Sequence, residues 1–294
     1  MKKYLNIYLV WAGVFIILPI ILILLYSFNG SESIAFENFN FSFINYKRFF
    51  EPLYLKMLGV TLLIAFLATL GCLIIGYPVA YIISRMDERI ASSLIFVFIM
   101  PMWINLLLRT YGWITLLGRN GVLNRFIVSL GGNPLGIMYT PKAVILGMIY
   151  EFLPFMVIQI YNALRKVDPN LIDAGLDLGA DMKTIFRKVI FPLSLPGVYT
   201  GIIMVFIPAI STFVVSNLLG GQKVYMIGNL IDQQFSFTGD WGFGSATAII
   251  LMAILILALA IQRRFGRDLE GDIVWEKQLK EYIQSWFLYS YMHL

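Results

Sequence analysis

The chain has 294 residues, is 59% hydrophobic and 13% charged, and carries a net charge of +5. A mean hydropathy of +0.80 places it with membrane proteins, and the basic balance reads as Lys and Arg beside a membrane, not as a nucleic-acid surface. The single cysteine, Cys72, excludes an intramolecular disulfide, and the single histidine, His293, argues against multi-His metal sites and His-dependent catalysis.

Lys2 and Lys3 precede an apolar run from Leu5 to Phe28. It is long enough to span a bilayer and no small-residue cleavage site follows it, so it reads as a transmembrane helix and not a signal peptide. Residues 31–55 are polar and aromatic and read as an external loop with a short amphipathic helix near Tyr46–Phe50. Five further spans are expected at Lys56–Ile83, Ala91–Leu117, Tyr139–Leu164, Pro196–Leu219 and Phe243–Gln262. Backbone polar groups in lipid must be satisfied within each segment, so the spans are helices and the fold class is all-α with six transmembrane helices. Gly118 to Met138 has room for a short interfacial helix, and Gly220 to Trp241 reads as a long polar and aromatic loop. The divisions are 1–55, an N-terminal helix and external loop; 56–265, a core of five spans; and 266–294, a tail.

With the N-terminus inside, Lys2, Lys3, Arg85, Arg89, Arg165, Lys166, Lys183, Arg187, Lys188, Arg263, Arg264, Arg267, Lys277 and Lys280 fall on the cytoplasmic side, 14 of the 22 basic residues. Both termini are then cytoplasmic. Pro78, Pro101, Pro154 and Pro208 each fall in a different middle span. They fit either a kinked lining of a translocation path or the ordinary frequency of Pro in membrane helices.

Asp168 to Gly197 is the polar interval that still looks folded. Asp168 suits an N-cap, with Pro169 at the first helical position. A short helix from Asn170 to Leu178 puts Asp173 and Asp177 one turn apart on one face. Gly179 suits a left-handed position after the helix. Asp181 can cap a second short helix, with Lys183, Arg187 and Lys188 near its end; Pro192 is expected to stop it and Pro196 to start the next span.

This helix–Gly–helix elbow carries Asp173-Ala174-Gly175, Gly179, Val189, Phe191 and Pro192 at the spacing of a signature of ABC importer permeases, which it resembles. It departs from that signature in Asp for Glu, Gly for the second Ala and Phe for Leu. The stretches NYKRFFEPLYLKMLGVTLLIAFLATLGCLIIGYPVAYIISR, MPMWINLLLRTYGW, YTPKAVILGMIYEFLPFMVIQIYNAL, SNLLGGQKVYMIGNLI and DWGFGSATA extend the likeness over roughly residues 5–265. They resemble the first membrane subunit of spermidine/putrescine importers. The resemblance implies a type I importer permease fold. It implies a second, different permease subunit, two copies of a cytoplasmic ATPase and an extracytoplasmic polyamine-binding protein, all at a bacterial cytoplasmic membrane. The elbow would be the coupling helix, through Asp173, Ala174, Gly175, Asp177, Gly179, Ala180 and Pro192. ATP and Mg²⁺ would sit on the partner ATPase, because this chain has no GxxxxGK[ST] phosphate loop and is expected to bind no cofactor itself. The tail after Gly271 lies outside the resemblance; it reads as surface-lying on the membrane or as a poorly ordered terminus.

Glu151 is an acid in mid-span, which makes it a candidate for the path of a cation, with Tyr150 offering an aromatic face. A Glu protonated or hydrogen-bonded between helices is the competing reading. Arg109 fits a gate or structural role better than a cation site. Asp232 and Asp240 flank an external aromatic segment and could face substrate or a docked binding protein; for Asp240 a solvated loop is the favoured reading. Trp103, Trp113 and Trp241 suit an interface belt, but Trp103 lies too far into its expected span and joins the path candidates.

Other readings are a permease for another small solute and a secondary transporter, which would show an inverted repeat and paired intramembrane charges. An intramembrane protease lacks its Ser/His or paired-Asp machinery here. A receptor or structural subunit leaves the elbow unexplained.

Overall fold

The structure is a computed structural model that describes residues 11, 13–31 and 39–271. Among them the chain is helical, and a single antiparallel bridge pairs Asn29 with Phe41. Residues 1–10 and the tail beyond 271 lie outside the described residues, and so does the tail reading.

Three helices form the core. They are α3 (Pro52–Ser84), α7 (Pro141–Leu164) and the continuous segment Met182–Ser211, whose last part is α10 (Phe191–Ser211). Each is predominantly apolar, as expected of a membrane span, and the faces turned inward carry Ala65, Ala68 and Cys72 on α3, Met148, Met156 and Ile160 on α7, and Val205 and Ala209 on α10. Small residues let backbones approach where lipid offers no hydrophobic drive. Gly197 is such a contact: a Cβ there would lie 2.4 Å from Ala163 Cβ and 2.6 Å from the carbonyl oxygen of Gln159.

Among the described residues four helices are long and apolar enough to cross a membrane: the three above and Trp241–Ala260, the first part of α13 (Trp241–Gly271). A fifth crossing is a bent pair, and the described part of the first apolar run, Gly13–Ser27 (a π turn followed by α1, Leu18–Ser27), is shorter. Of the six expected spans, four are found as long apolar helices and one as a broken pair, and the first is described only in its Gly13–Ser27 part. The short amphipathic helix α2 (Ile44–Phe49) matches the one expected near Tyr46–Phe50.

Three boundaries differ from expectation. The expected span Ala91–Leu117 is broken. The helix α4 (Glu88–Ile99) passes into a 3-10 turn at Met100–Trp103, and α5 (Leu106–Leu117) restarts beyond it, with a bend of 94° across the break. Pro101 sits in the turn, Ile104 is extended, and Asn105 caps α5 by accepting from Leu107 N at 2.8 Å. Next comes the short helix α6 (Val122–Ser129), inside the interval with room for one.

The second boundary is Pro192, which does not stop a helix. The chain runs from α9 (Met182–Ile185) through a π segment, Phe186–Ile190, straight into α10. A π turn widens the hydrogen-bond ladder by one residue, which accommodates a proline without ending the helix. The span consequently begins inside the elbow, not at Pro196, and ends at Ser211, not Leu219.

The third is the expected loop from Gly220 to Trp241, which is folded and partly buried. Here α11 (Val214–Gly220) leads through a 3-10 turn to α12 (Ile227–Gln233) and a π turn, Gln234–Thr238. Buried Asn229 organises it. Its Oδ1 accepts from Met226 N at 2.9 Å and Ser216 Oγ at 2.8 Å, while its Nδ2 donates to Phe213 O and Asn217 Oδ1. Thr61 Oγ1 on α3 accepts from Ile227 N at 2.9 Å. With its polar groups satisfied, so polar a segment can be buried.

Candidate coupling elbow and intramembrane ion pair

The elbow begins with α8 (Pro169–Asp177). Asp168 caps it by accepting from Asn170 N at 2.9 Å. At its far end Ala180 N donates to Gly175 O and Gly179 N donates to Leu176 O, the paired bonds of a Schellman motif, and Gly179 has φ +77. Asp181 then accepts from Thr184 N at 3.3 Å and opens α9. Hydrogen bonding from Thr184 holds the exposed Asp181 carboxyl below its ordinary value.

Helix α8 has two faces. Ile172 is buried, and Gly175 faces Ile185, whose Cγ1 lies 3.1 Å from where a Cβ would stand. Asp173, Leu176 and Asp177 point outward, and Met182 and Phe191 are also exposed. The elbow therefore presents two carboxylates and apolar side chains away from the bundle. On its inner side, Arg85 after α3, Arg165 after α7, Pro169, Ile172 and Ile190 line a cavity of about 290 Å³. The basic loops thus meet at the elbow's end of the bundle.

The elbow is tied to α3 by aromatic contacts that sequence reasoning did not single out. Phe186 meets Tyr81 at 5.3 Å and Tyr77 at 6.0 Å, and Phe191 meets Tyr77 at 5.8 Å. Tyr77 OH and Ser194 Oγ share a hydrogen bond of 2.9 Å. The one signal for these contacts in the sequence is the spacing of Tyr77 and Tyr81, one helical turn apart.

The second site lies deep in the bundle. Arg109 on α5 donates from Nη2 to Glu151 Oε1 on α7 at 2.7 Å, with side-chain exposures of 9% and 14%. Arg109 Nε is buried with no hydrogen-bond partner. One turn along α5 from Arg109, Trp113 meets Tyr150 edge-on at 5.3 Å. Of the four residues expected in a substrate path, Glu151 and Tyr150 are consecutive on α7, with Arg109 against the first and Trp113 against the second. The other two lie elsewhere. Asp232 on α12 accepts from Ser236 Oγ at 3.2 Å, and Trp103 is 71% exposed at the break before α5, edge-on to Phe96 at 5.6 Å. Trp103 is thus at the end of the first limb of the broken pair, not inside a continuous helix.

At the opposite end of α3, Asp240 is not a solvated loop residue. It accepts from Arg48 at 2.8 Å and from Phe243 N at 3.0 Å, and the Arg48 guanidinium lies 4.1 Å from the Phe243 ring centroid. This cluster joins α2 to the start of α13.

Among the described residues no group of His, Cys, Asp or Glu could hold a metal ion.

Similarity to known proteins agrees with this geometry. Over 278 residues the chain is 40% identical to the spermidine/putrescine transport system permease protein PotB of Salmonella typhimurium LT2, covering 92% of this chain and 97% of that protein. It is 39% identical over 265 residues to PotB of Escherichia coli K12, covering 90% and 96%. The Escherichia coli inner membrane ABC transporter permease protein YdcU is 28% identical over 236 residues, covering 76% and 75%. In three dimensions the chain resembles a subunit of a bacterial ABC transporter that imports the acidic polysaccharide alginate, with a TM-score of 0.74, 16% identity and coverage of 90% and 94%. A chain of the inward-facing MetNI methionine ABC transporter matches with a TM-score of 0.54, 22% identity and coverage of 73% and 95%. Its fold is that of type I ABC importer permeases, and with residues 4–271 matching the family profile the chain belongs to the binding-protein-dependent transport system inner membrane components.

Proposed function

We propose that this chain is the membrane permease subunit of an ATP-driven importer for polyamines of the spermidine and putrescine class. The observation that carries the reading is 40% identity to a spermidine/putrescine permease across 97% of that protein's length. The chain forms half of the translocation pathway with a second, different permease subunit. Two copies of a cytoplasmic ATPase bind ATP and Mg²⁺ and hydrolyse the nucleotide, and an extracytoplasmic binding protein delivers the cargo. The membrane is a bacterial cytoplasmic membrane, with both termini and the elbow on the cytoplasmic side.

The coupling residues are Asp173, Ala174, Gly175, Asp177, Gly179, Ala180 and Pro192. Capping at both ends of α8 supports this role, because a stiff element transmits displacement and a frayed one absorbs it. The aromatic contacts of Phe186 with Tyr77 and Tyr81 support a mechanical route from the elbow into α3. Glu151 and Tyr150 are the cargo-path residues best supported by position. Asp232 and Trp103 are weaker candidates, since each sits apart from that pair.

The test is reconstitution. The chain, its partner permease, the ATPase and the binding protein are placed in liposomes, and ATP-dependent uptake of labelled spermidine is measured. Saturable uptake, lost together with ATPase co-purification in Gly179→Val, is the expected result. Assembly and uptake that persist in that variant overturn the coupling role. An assembled importer that moves another small solute but no polyamine overturns the cargo class.

A further inference from the structure

Two features of a cation site stand side by side on α7: the Glu151 carboxylate and the Tyr150 ring. In this structure both are contacted from α5, although Tyr150 stays 39% exposed. Arg109 holds Glu151 at 2.7 Å, and Trp113, one turn further along, covers the edge of Tyr150 at 5.3 Å. A guanidinium on a carboxylate is chemically what an organic ammonium on that carboxylate would be: a cation donating N–H to an oxygen.

We propose that Arg109 is a resident stand-in for the cargo's ammonium group, and that loading of Glu151 by the cargo requires α5 to release it. The inference rests on the polyamine reading above and names its recognition residue and that residue's competitor.

The two side chains are not equally satisfied. Arg109 Nε is buried and has no hydrogen-bond partner, so the guanidinium is incompletely accommodated. Glu151 Oε2 receives no hydrogen bond from the described residues, so a carboxylate oxygen is still open to an arriving ammonium. Arg109 and Trp113 share one face of one short helix, so a single displacement of α5 uncovers both the carboxylate and the ring. That helix follows the 94° break at Ile104–Asn105, where it is joined to the 3-10 turn ending α4 through extended residues and not through a continuous helical ladder. A stand-in also solves a problem of the empty state. An unpaired carboxylate in mid-membrane is costly, and Arg109 neutralises it until cargo arrives.

A competitor that occupies the site reduces apparent affinity by the fraction of molecules it blocks, so its removal must tighten binding. The experiment measures equilibrium retention of labelled spermidine by the assembled permease–ATPase complex in nanodiscs, without the binding protein. Arg109→Gln is expected to tighten retention by about tenfold, and Arg109→Lys, which keeps the charge but loses the planar fork, by about two- to threefold. Glu151→Gln and the double variant Arg109→Gln/Glu151→Gln are expected to lose retention while still assembling.

A merely structural ion pair makes the opposite prediction: Arg109→Gln weakens or leaves retention unchanged, and the neutral double variant restores the wild-type value. Either result overturns the proposal. If Arg109→Gln does not assemble, Arg109→Lys and the double variant decide: unchanged retention in the former, or wild-type retention in the latter, overturns it. A wild-type importer that retains and transports no polyamine is a different result; it removes the polyamine reading, and this proposal with it.

Discussion

Arg109 and Glu151 lie 42 positions apart in the chain and meet at 2.7 Å between two helices of the bundle. Either charge alone is costly inside the bundle, and together they make one neutral, hydrogen-bonded unit.

Truncating one member should therefore harm folding more than replacing both. Breaking a buried pair costs several kcal/mol, and the 9% and 14% exposures put Arg109→Ala near the lower end, at about 3 kcal/mol. The double replacement Arg109→Leu/Glu151→Leu should recover most of that loss, because no charge is stranded. Thermal unfolding in detergent, followed by tryptophan fluorescence, compares the two. A double variant less stable than Arg109→Ala contradicts the argument.

Gly179 holds φ +77, where a β-branched side chain is strained and Asn is tolerated. Gly179→Val should cost about 1–2 kcal/mol in the elbow and abolish ATPase co-purification, and Gly179→Asn should keep most of it. No neighbouring atom lies within 4 Å of a Cβ built there, so conformation and not crowding sets the difference. Equal loss in the two variants would point to a requirement for glycine that backbone strain does not supply.

Gly197 marks a close approach of α10 to α7. Gly197→Ala should lower stability by about 1–3 kcal/mol through overpacking. Adding Ala163→Gly should recover only part of it, because the second clash is with the backbone oxygen of Gln159, 2.6 Å away. Full recovery in the double variant shows that the backbone contact relaxes and carries no cost.

Asp181 gives the elbow a pH dependence. Its folded-state affinity for protons is lowered by hydrogen bonding from Thr184, so its contribution is present above the ordinary carboxylate range and is lost as pH falls through the folded value. Hydrogen-exchange protection of the Thr184 amide, corrected for intrinsic rates, should fall on acidification below about pH 4. Asp181→Asn keeps an acceptor oxygen and should flatten that profile. An unchanged profile in Asp181→Asn sinks the assignment.

The elbow is legible in the sequence because its information is local. Asp168, Pro169, Gly179 and Asp181 each satisfy or relax backbone groups within a few residues of themselves, and the observed caps and positive φ are those the residue types require. The membrane class is legible for a similar reason, since long apolar runs must be helical in lipid. The break at Pro101 is written locally too, in a proline followed by the N-cap Asn105, but the continuous apolar composition masks it.

The stretches that fold differently from expectation depend on partners far along the chain. Gly220–Trp241 looks like a loop because it is polar; it is buried because Asn229 and Thr61 satisfy its backbone. Asp240 looks solvated until folding places Arg48 beside it. By itself, then, the sequence determined the helices, the elbow's caps and the likeness to importer permeases, since these rest on near neighbours and on composition. Only the tertiary structure decided that Glu151 meets Arg109 and that Trp113 meets Tyr150, because a helix period sets which residues share a face but not which other helix that face will touch.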